Sequence, residues 1–341
     1  MRAPLRIGVQ AGVASALVIV FFLTIGREKP VDLLFPGTEG RGAAVVIHDF
    51  GRDAVPVRYG YDGQEMYVVA RRFPDLTQAS RDGIYEYRLR RILEPALASA
   101  APNGSATVLA MSVLSVLGIA LAAGSLADLA VRHGRDPRVG FAAAVALAFP
   151  LIVSTTEPLA FGLGFLGLAL VDRRRWVVGA VAFALAGLTR ETALIMAVAA
   201  AIVVWRSRGV AAAIGLLGIA VAPFIAWSAW LSTQIPPNAD TYPSGKLLGV
   251  LDALNLSTGD IVVAVVVVGL MVAGVVLWRD VPLLALTCLG YLGCCLLYIG
   301  DSFRFHAFLR LCAAAIAIAL AGMFPRPQAV APVDAVSADV A

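Results

Sequence analysis

Long apolar stretches constrain this chain more than any other feature. Ile7–Ile25, Thr107–Ala127, Gly209–Trp230, Asp260–Trp278, Pro282–Ile299 and Ala307–Phe324 each approach the length of a membrane span. About 20 helical residues, rising 1.5 Å each, cover the ~30 Å hydrocarbon core of a bilayer. Backbone polar groups find no partner in lipid, so such stretches must be helices that satisfy their own hydrogen bonds. A hydrophobic share of 60% and a mean hydropathy of +0.83 agree with this. Soluble domains run at about 45–50% apolar. The sequence therefore predicts an all-α, polytopic membrane protein forming one transmembrane domain over residues 1–324. A weakly charged Ala/Val/Pro-rich tail, 325–341, is predicted to be disordered and cytoplasmic.

Between the full-length spans lie shorter apolar pieces. Val139–Val153 and Leu159–Val171 flank Ser154-Thr155-Thr156-Glu157-Pro158, and Val177–Leu188 and Ala193–Trp205 flank Thr189-Arg190-Glu191-Thr192. Arms of about 12–15 residues make only ~18–22 Å of helix, short of the core thickness. Basic residues stand at both ends of each hairpin, so the tips are predicted to stop inside the membrane and to floor a watery cavity. The full count is about ten membrane helices, including these two short hairpins.

Charge sets the predicted topology. Arg2, Arg6, Arg132, Arg135, Arg138, Arg173, Arg174, Arg175, Arg206, Arg208, Arg279 and Arg326 fall on one side; only Arg190, Lys246 and Arg304 fall in short turns on the other. The positive-inside rule then puts both termini in the cytoplasm and the polar segment 27–106 outside. The basic N-terminus and Ile7–Ile25 read as an uncleaved first span, because no small-x-small cleavage site follows. The net charge of +4 reports this topology and does not argue for nucleic acid. Cys288, Cys294, Cys295 and Cys312 all lie in apolar runs and read as buried thiols.

The segment 27–106 is the long first outer loop. It carries six prolines, and Tyr85, Leu89, Ile92 and Leu93 fall near one face of a predicted amphipathic helix over Tyr85–Ala101. That helix is expected to lie on the membrane surface. Within the same loop, Tyr61-Asp62-Gly63-Gln64 offers a carboxylate to act as a general base, a glycine for close approach, and an amide to position a hydroxyl. An Asp-Gly turn is the structural alternative. Arg190 and Glu191 suggest an anion contact with a fixed partner, and Glu157 is expected to ion-pair with Arg190. Asp301 and Arg304, beside His306 at the start of the last span, form a second candidate phosphate site. The basic clusters Arg71-Arg72 and Arg88, Arg90, Arg91 read as solvated or headgroup-facing. No nucleotide-binding glycine loop, zinc spacing, HExxH or GxSxG stands at a credible position.

Two stretches carry a resemblance. Tyr59-Gly60-Tyr61-Asp62-Gly63-Gln64-Glu65-Met66-Tyr67, followed by Tyr87-Arg88-Leu89-Arg90-Arg91-Ile92-Leu93-Glu94-Pro95, resembles a bacterial group of integral-membrane glycosyltransferases within the GT-C superfamily. Leu188–Leu194 also looks like a stretch of that group. The chain departs from it at Glu65-Met66, where an aromatic pair is usual, and at Glu94, where Tyr is usual. The resemblance implies a bacterial inner-membrane enzyme with its active site outside. It implies a polyprenyl-phosphate-linked sugar donor, inversion at the anomeric carbon, and Asp62 as the catalytic acidic residue. Substrate contacts are expected from Tyr61, Gln64, Arg91, Glu157, Arg190, Glu191, Asp301 and Arg304. A divalent cation, Mg²⁺ or Mn²⁺, at Asp62 is left open, with no ligand cluster pointing to one. The competing readings are a transporter or flippase of a lipid-linked molecule, and a non-catalytic membrane partner. Sugar, acceptor and oligomeric state are not legible in the sequence.

Overall fold

The computed structural model describes residues 3–25, 29–55, 57–58, 60–235, 258–297 and 312–324. Asp301, Arg304, His306 and the tail 325–341 lie outside them. The described residues are helical, with a single isolated bridge between Gly37 and Val57 and no strand. The α-helices are α1 (Ala3–Thr24), α2 (Ala43–Phe50), α3 (Asp62–Arg72), α4 (Leu76–Arg81), α5 (Glu86–Leu89), α6 (Leu93–Ala98), α7 (Gly104–Arg132), α8 (Phe141–Ala146), α9 (Ala148–Ile152), α10 (Glu157–Asp172), α11 (Trp176–Thr189), α12 (Leu194–Arg208), α13 (Val210–Gln234), α14 (Thr258–Leu277), α15 (Pro282–Leu297) and α16 (Ala313–Gly322). Among them α1, α7 and α13 are long and apolar enough to cross a membrane, and α11, α14, α15 and α16 include shorter apolar stretches. The arm expected over Val139–Val153 is broken into α8 and α9. Pro150 cannot donate the helical hydrogen bond that continuity would require of it.

The longest helix, α7, is the axis. α1 packs antiparallel on it through glycine: a Cβ on Gly8 would stand 2.8 Å from the Ala120 carbonyl oxygen. α10 packs on α7 more tightly still. A Cβ on Gly118 would lie 2.3 Å from Pro158 backbone atoms, and one on Gly162 would lie 2.3 Å from the Gly118 oxygen. Lipid tails are as apolar as leucine, so membrane helices associate where small residues let backbones touch.

That crossing sets depth. Gly118 meets Pro158, and fourteen positions further along each helix Arg132 hydrogen-bonds Asp172, so α7 and α10 run parallel. Fourteen residues rise ~21 Å. α10 therefore begins halfway along α7, at a level within the thickness of a hydrocarbon core measured from the Arg132 end. At that end a belt of ion pairs joins the helices. His133 Nε2 stands 3.1 Å from Asp172, Arg173 Nε 2.8 Å from Asp128, and Arg135 3.1 Å from Asp280. The start of α1 sits at this same end, with Pro4 beside Gly124.

Residues 29–103 fill the space beside the first half of α7, above the short helices. They are a folded cap whose buried residues, among them Leu33, Leu34, Met66, Tyr67, Val68, Val69, Ile84 and Leu89, join the core of the helices below. Within α3, Gly63 abuts the Val153 carbonyl, and the Tyr67 hydroxyl lies against Gly104 at the start of α7. The surface helix expected over Tyr85–Ala101 is instead two short pieces, α5 and α6. Pro95 is tolerated in the first turn of α6 but would clash with a helix continuing from Arg91. Arg88 on α5, Arg91 between the two pieces and Glu94 on α6 are buried, so this segment does not lie charged-side-up on a membrane.

Replacing Gly118 with valine drives a side chain into the Pro158 backbone. We expect a loss of about 1–3 kcal/mol, the range for overpacking. The check is thermal unfolding in detergent, with Gly218→Val, a glycine with open space around it, as the harmless control.

Candidate functional site

The first turn of α3 carries the site. Tyr61 is extended (φ −112°, ψ 169°) and its N–H donates to the Phe35 oxygen at 3.0 Å, which aims α3 at the tip of the first hairpin. Asp62 and Glu65 both stand in the first turn, where the helix dipole favours negative charge. Between them Gly63 is pressed on backbone: an added Cβ would come 2.5 Å from the Val153 oxygen and 3.3 Å from the Leu34 oxygen. Ser154, in that same tip, holds φ 44°, a left-handed value uncommon outside glycine. Gln64 is buried, and its amide is taken up locally. Its Oε1 accepts from the Gly37 N–H at 2.7 Å and its Nε2 donates to the Arg41 oxygen at 3.0 Å. The structure thus places Gln64 in the 37–41 turn rather than toward a substrate hydroxyl.

Three arginines hold the carboxylates of this turn and of the hairpin tips: Arg88 within the cap, Arg91 from the cap to one tip, and Arg190 from tip to tip. Arg88 donates to Asp62 Oδ2 at 2.6 Å, and its Nε stands 3.1 Å from Glu65 Oε2. The two carboxylates outweigh the effect of burial and raise the pKa of Arg88, so its charge is permanent. Glu65 shifts the other way from what a 3.1 Å ion pair suggests. Burial raises its pKa and the neighbouring Asp62 adds to the rise, so Arg88, whose shorter hydrogen bond goes to Asp62, only partly offsets them. Arg91 reaches across to Glu191 with a two-pronged contact of 3.0 and 2.6 Å. Arg190 donates to Glu157 at 2.6 Å, and this pair is buried, as the sequence reading expected of it. The Tyr87 ring lies 4.8 Å from the Arg88 guanidinium carbon and 5.5 Å from that of Arg91.

Glu94 completes the cluster from α6. It is fully buried, and neither of its oxygens has a hydrogen-bond partner among the described residues. Burial pushes its pKa well up, and the charge of Glu157 pushes it further. Both causes favour the protonated carboxyl beside the Glu157–Arg190 pair.

Asp62, Arg91, Glu157, Arg190 and Glu191, chosen from the sequence, thus converge, with Tyr61 and Gln64 at the edge. Asp301 and Arg304 fall outside the described residues. Sequence reasoning missed Arg88, Glu65 and Glu94. Arg88 and Arg91 are buried and ion-paired rather than solvated or headgroup-facing; Arg71 pairs with Asp49, Arg72 with Asp82 and Arg90 with Glu86. Two signals pointed to the missed residues. Arg88, Arg91 and Glu94 recur every third position, the spacing of one helical face. Glu65 and Glu94 are also the positions where the chain departs from the group it resembles. Among the described residues no group of three or more His, Cys, Asp or Glu side chains is placed to hold a metal ion. The Arg88 guanidinium lies where a cation shared by Asp62 and Glu65 would have to sit, so these residues as arranged do not fit one.

No family model, curated protein or solved structure matches the chain.

Two measurements test this electrostatic account. Glu157→Gln leaves the Arg190 charge buried beside a neutral amide, and we expect a loss of about 3–5 kcal/mol in detergent unfolding. Glu65 has a raised pKa, so its contribution to stability is present below its ordinary value of 4.5 and lost as pH rises through the raised one. Glu65→Gln is therefore expected to raise the unfolding temperature relative to wild type at pH 8, with the difference shrinking toward pH 4.

Proposed function

We propose that the protein is an inverting membrane glycosyltransferase. It moves a sugar from a polyprenyl-phosphate-linked donor to a hydroxyl acceptor, with Asp62 as the base. The observation that carries this reading is the convergence of Asp62 with Arg88, Arg91 and Arg190 where the cap meets the hairpin tips. Asp62 keeps 22% of its side chain exposed, so an acceptor has access to it from the cap side. In this reading the basic belt and both termini face the cytoplasm of a bacterium, about ten segments lie in the inner membrane, and the cap faces outside.

The chemistry follows from the groups present. The acceptor hydroxyl attacks the anomeric carbon as its proton passes to Asp62. The bond from that carbon to the phosphate oxygen breaks on the opposite face, and the polyprenyl phosphate leaves with the electron pair. Arg91 holds Glu191 through a planar two-pronged contact, a geometry that phosphate matches equally well. Exchange of Glu191 for the donor phosphate places a fixed positive charge where negative charge develops. Arg304 is a further candidate for that phosphate, with Asp301 to hold it. A flippase needs a polar path through both membrane halves. The bodies of α7, α10, α11 and α12 between the hairpin tips and the basic belt carry no charged residue, which favours the enzyme.

The test is consumption of a panel of polyprenyl-phosphate sugars by the purified protein. Asp62→Asn is expected to lower turnover by about 10²–10⁴, the range for loss of a general base, while donor binding persists. A fully active Asp62→Asn protein removes the central assignment.

A further inference from the structure

At the opposite end of the bundle from Asp62, α1, α7 and α10 leave a groove of about 420 Å³. Its walls include Leu5, Val9, Leu117, Leu121, Leu166 and Leu170. Leu5, Val9 and Leu117 are exposed, so the groove opens sideways where lipid would lie. Gly8 and Gly124 bring the helix backbones together at its floor: a Cβ on Gly124 would stand 3.5 Å from the Gly8 Cα. Along α7 the groove extends from Leu117 to Asp128, ~16 Å at helical rise. Leu117 neighbours Gly118, where the backbone crossing with Pro158 brings α7 and α10 together.

The other end of the groove is charged. Asp128 is already neutralised by a two-pronged contact from Arg173. Arg175 also lines the groove, and Arg174 precedes it in the α10–α11 turn. Both are exposed, and neither guanidinium has an ion pair or hydrogen bond among the described residues. An apolar slot about half a bilayer deep, with the uncompensated guanidinium of Arg175 at its charged end and exposed Arg174 next to it in the chain, is complementary to one kind of molecule.

We propose that this groove is a binding site for an anionic glycerophospholipid, one acyl chain lying between α1, α7 and α10 and the phosphate on Arg174 and Arg175. The planar guanidinium fork matches phosphate, and burying the chain between leucines keeps it apolar throughout. A zwitterionic lipid offers the same chain but no net charge, so the site discriminates by headgroup. The site lies far from Asp62 and does not rest on the enzymatic reading.

The experiment is native mass spectrometry of the full chain in detergent, titrated with dioleoylphosphatidylglycerol or dioleoylphosphatidylcholine. Wild type is expected to retain one phosphatidylglycerol in preference to phosphatidylcholine. Arg175→Gln lowers phosphatidylglycerol affinity about five-fold, the weight of one basic residue at an anionic headgroup, and leaves phosphatidylcholine unchanged. Leu121→Trp fills the slot and removes the retained lipid. Equal binding of the two lipids by wild type overturns the proposal. So does undiminished binding by a folded Leu121→Trp protein, or competition by soluble glycerophosphoglycerol as strong as that of the diacyl lipid. If Leu121→Trp does not fold, the surface variant Arg175→Gln decides alone.

Discussion

The backbone contact between Gly118 of α7 and Pro158 of α10 decides where the rest of the molecule goes. Two helices of unequal length are held in register at their Arg132 and Asp172 ends, so the shorter one must stop partway along the longer. The space left beside the upper half of α7 cannot be filled by lipid-compatible helix, because the residues that end α10, α11 and α12 there are charged. It is filled by the cap. Glycine is required at both Gly118 and Gly162 because the approach is backbone to backbone, and no side chain can yield there.

Putting the hairpin tips at that depth has an electrostatic consequence. Glu157 and Arg190 are out of reach of water and must neutralise each other. Glu191 turns to Arg91 of the cap, and Asp62 and Glu65 share Arg88. Each acid in the cluster except Glu94 thus has an arginine. Glu94 has none among the described residues, and burial raises its pKa, which favours the protonated form. Arginine–carboxylate pairs made through guanidinium forks are also well suited to exchange for a phosphate, so one arrangement serves both the resting fold and the chemistry proposed for it.

The two ends of the bundle differ in kind. The Asp62 end is a buried cluster closed by a folded cap. The Arg132 end is a belt of ion pairs whose arginines are exposed at Arg132 and Arg173 and buried at Arg135. What the belt provides is position: it joins the ends of the helices, and it leaves Arg175 at the charged end of an apolar groove.

Much of this fold was legible locally. Apolar runs gave the places of α1, α7 and α10 to α15 to within a few residues, because hydrocarbon demands helix whatever the packing partner. Charge and position together foretold the Glu157–Arg190 pair. The cap was misjudged, since its apolar face at Tyr85, Leu89, Ile92 and Leu93 is weaker evidence than the row Arg88, Arg91 and Glu94 on the other face. Which acid each arginine meets was decided only by tertiary structure. Arg91 and Glu191 lie 100 positions apart, and Arg88 lies 26 from Asp62. Such pairings depend on how α3, α6 and the hairpins stack against α7. Sequence by itself determined that this chain is membrane helix with charged interruptions. The packing register determined that those interruptions meet at one place, because only close backbone contact sets the depth of one helix against another.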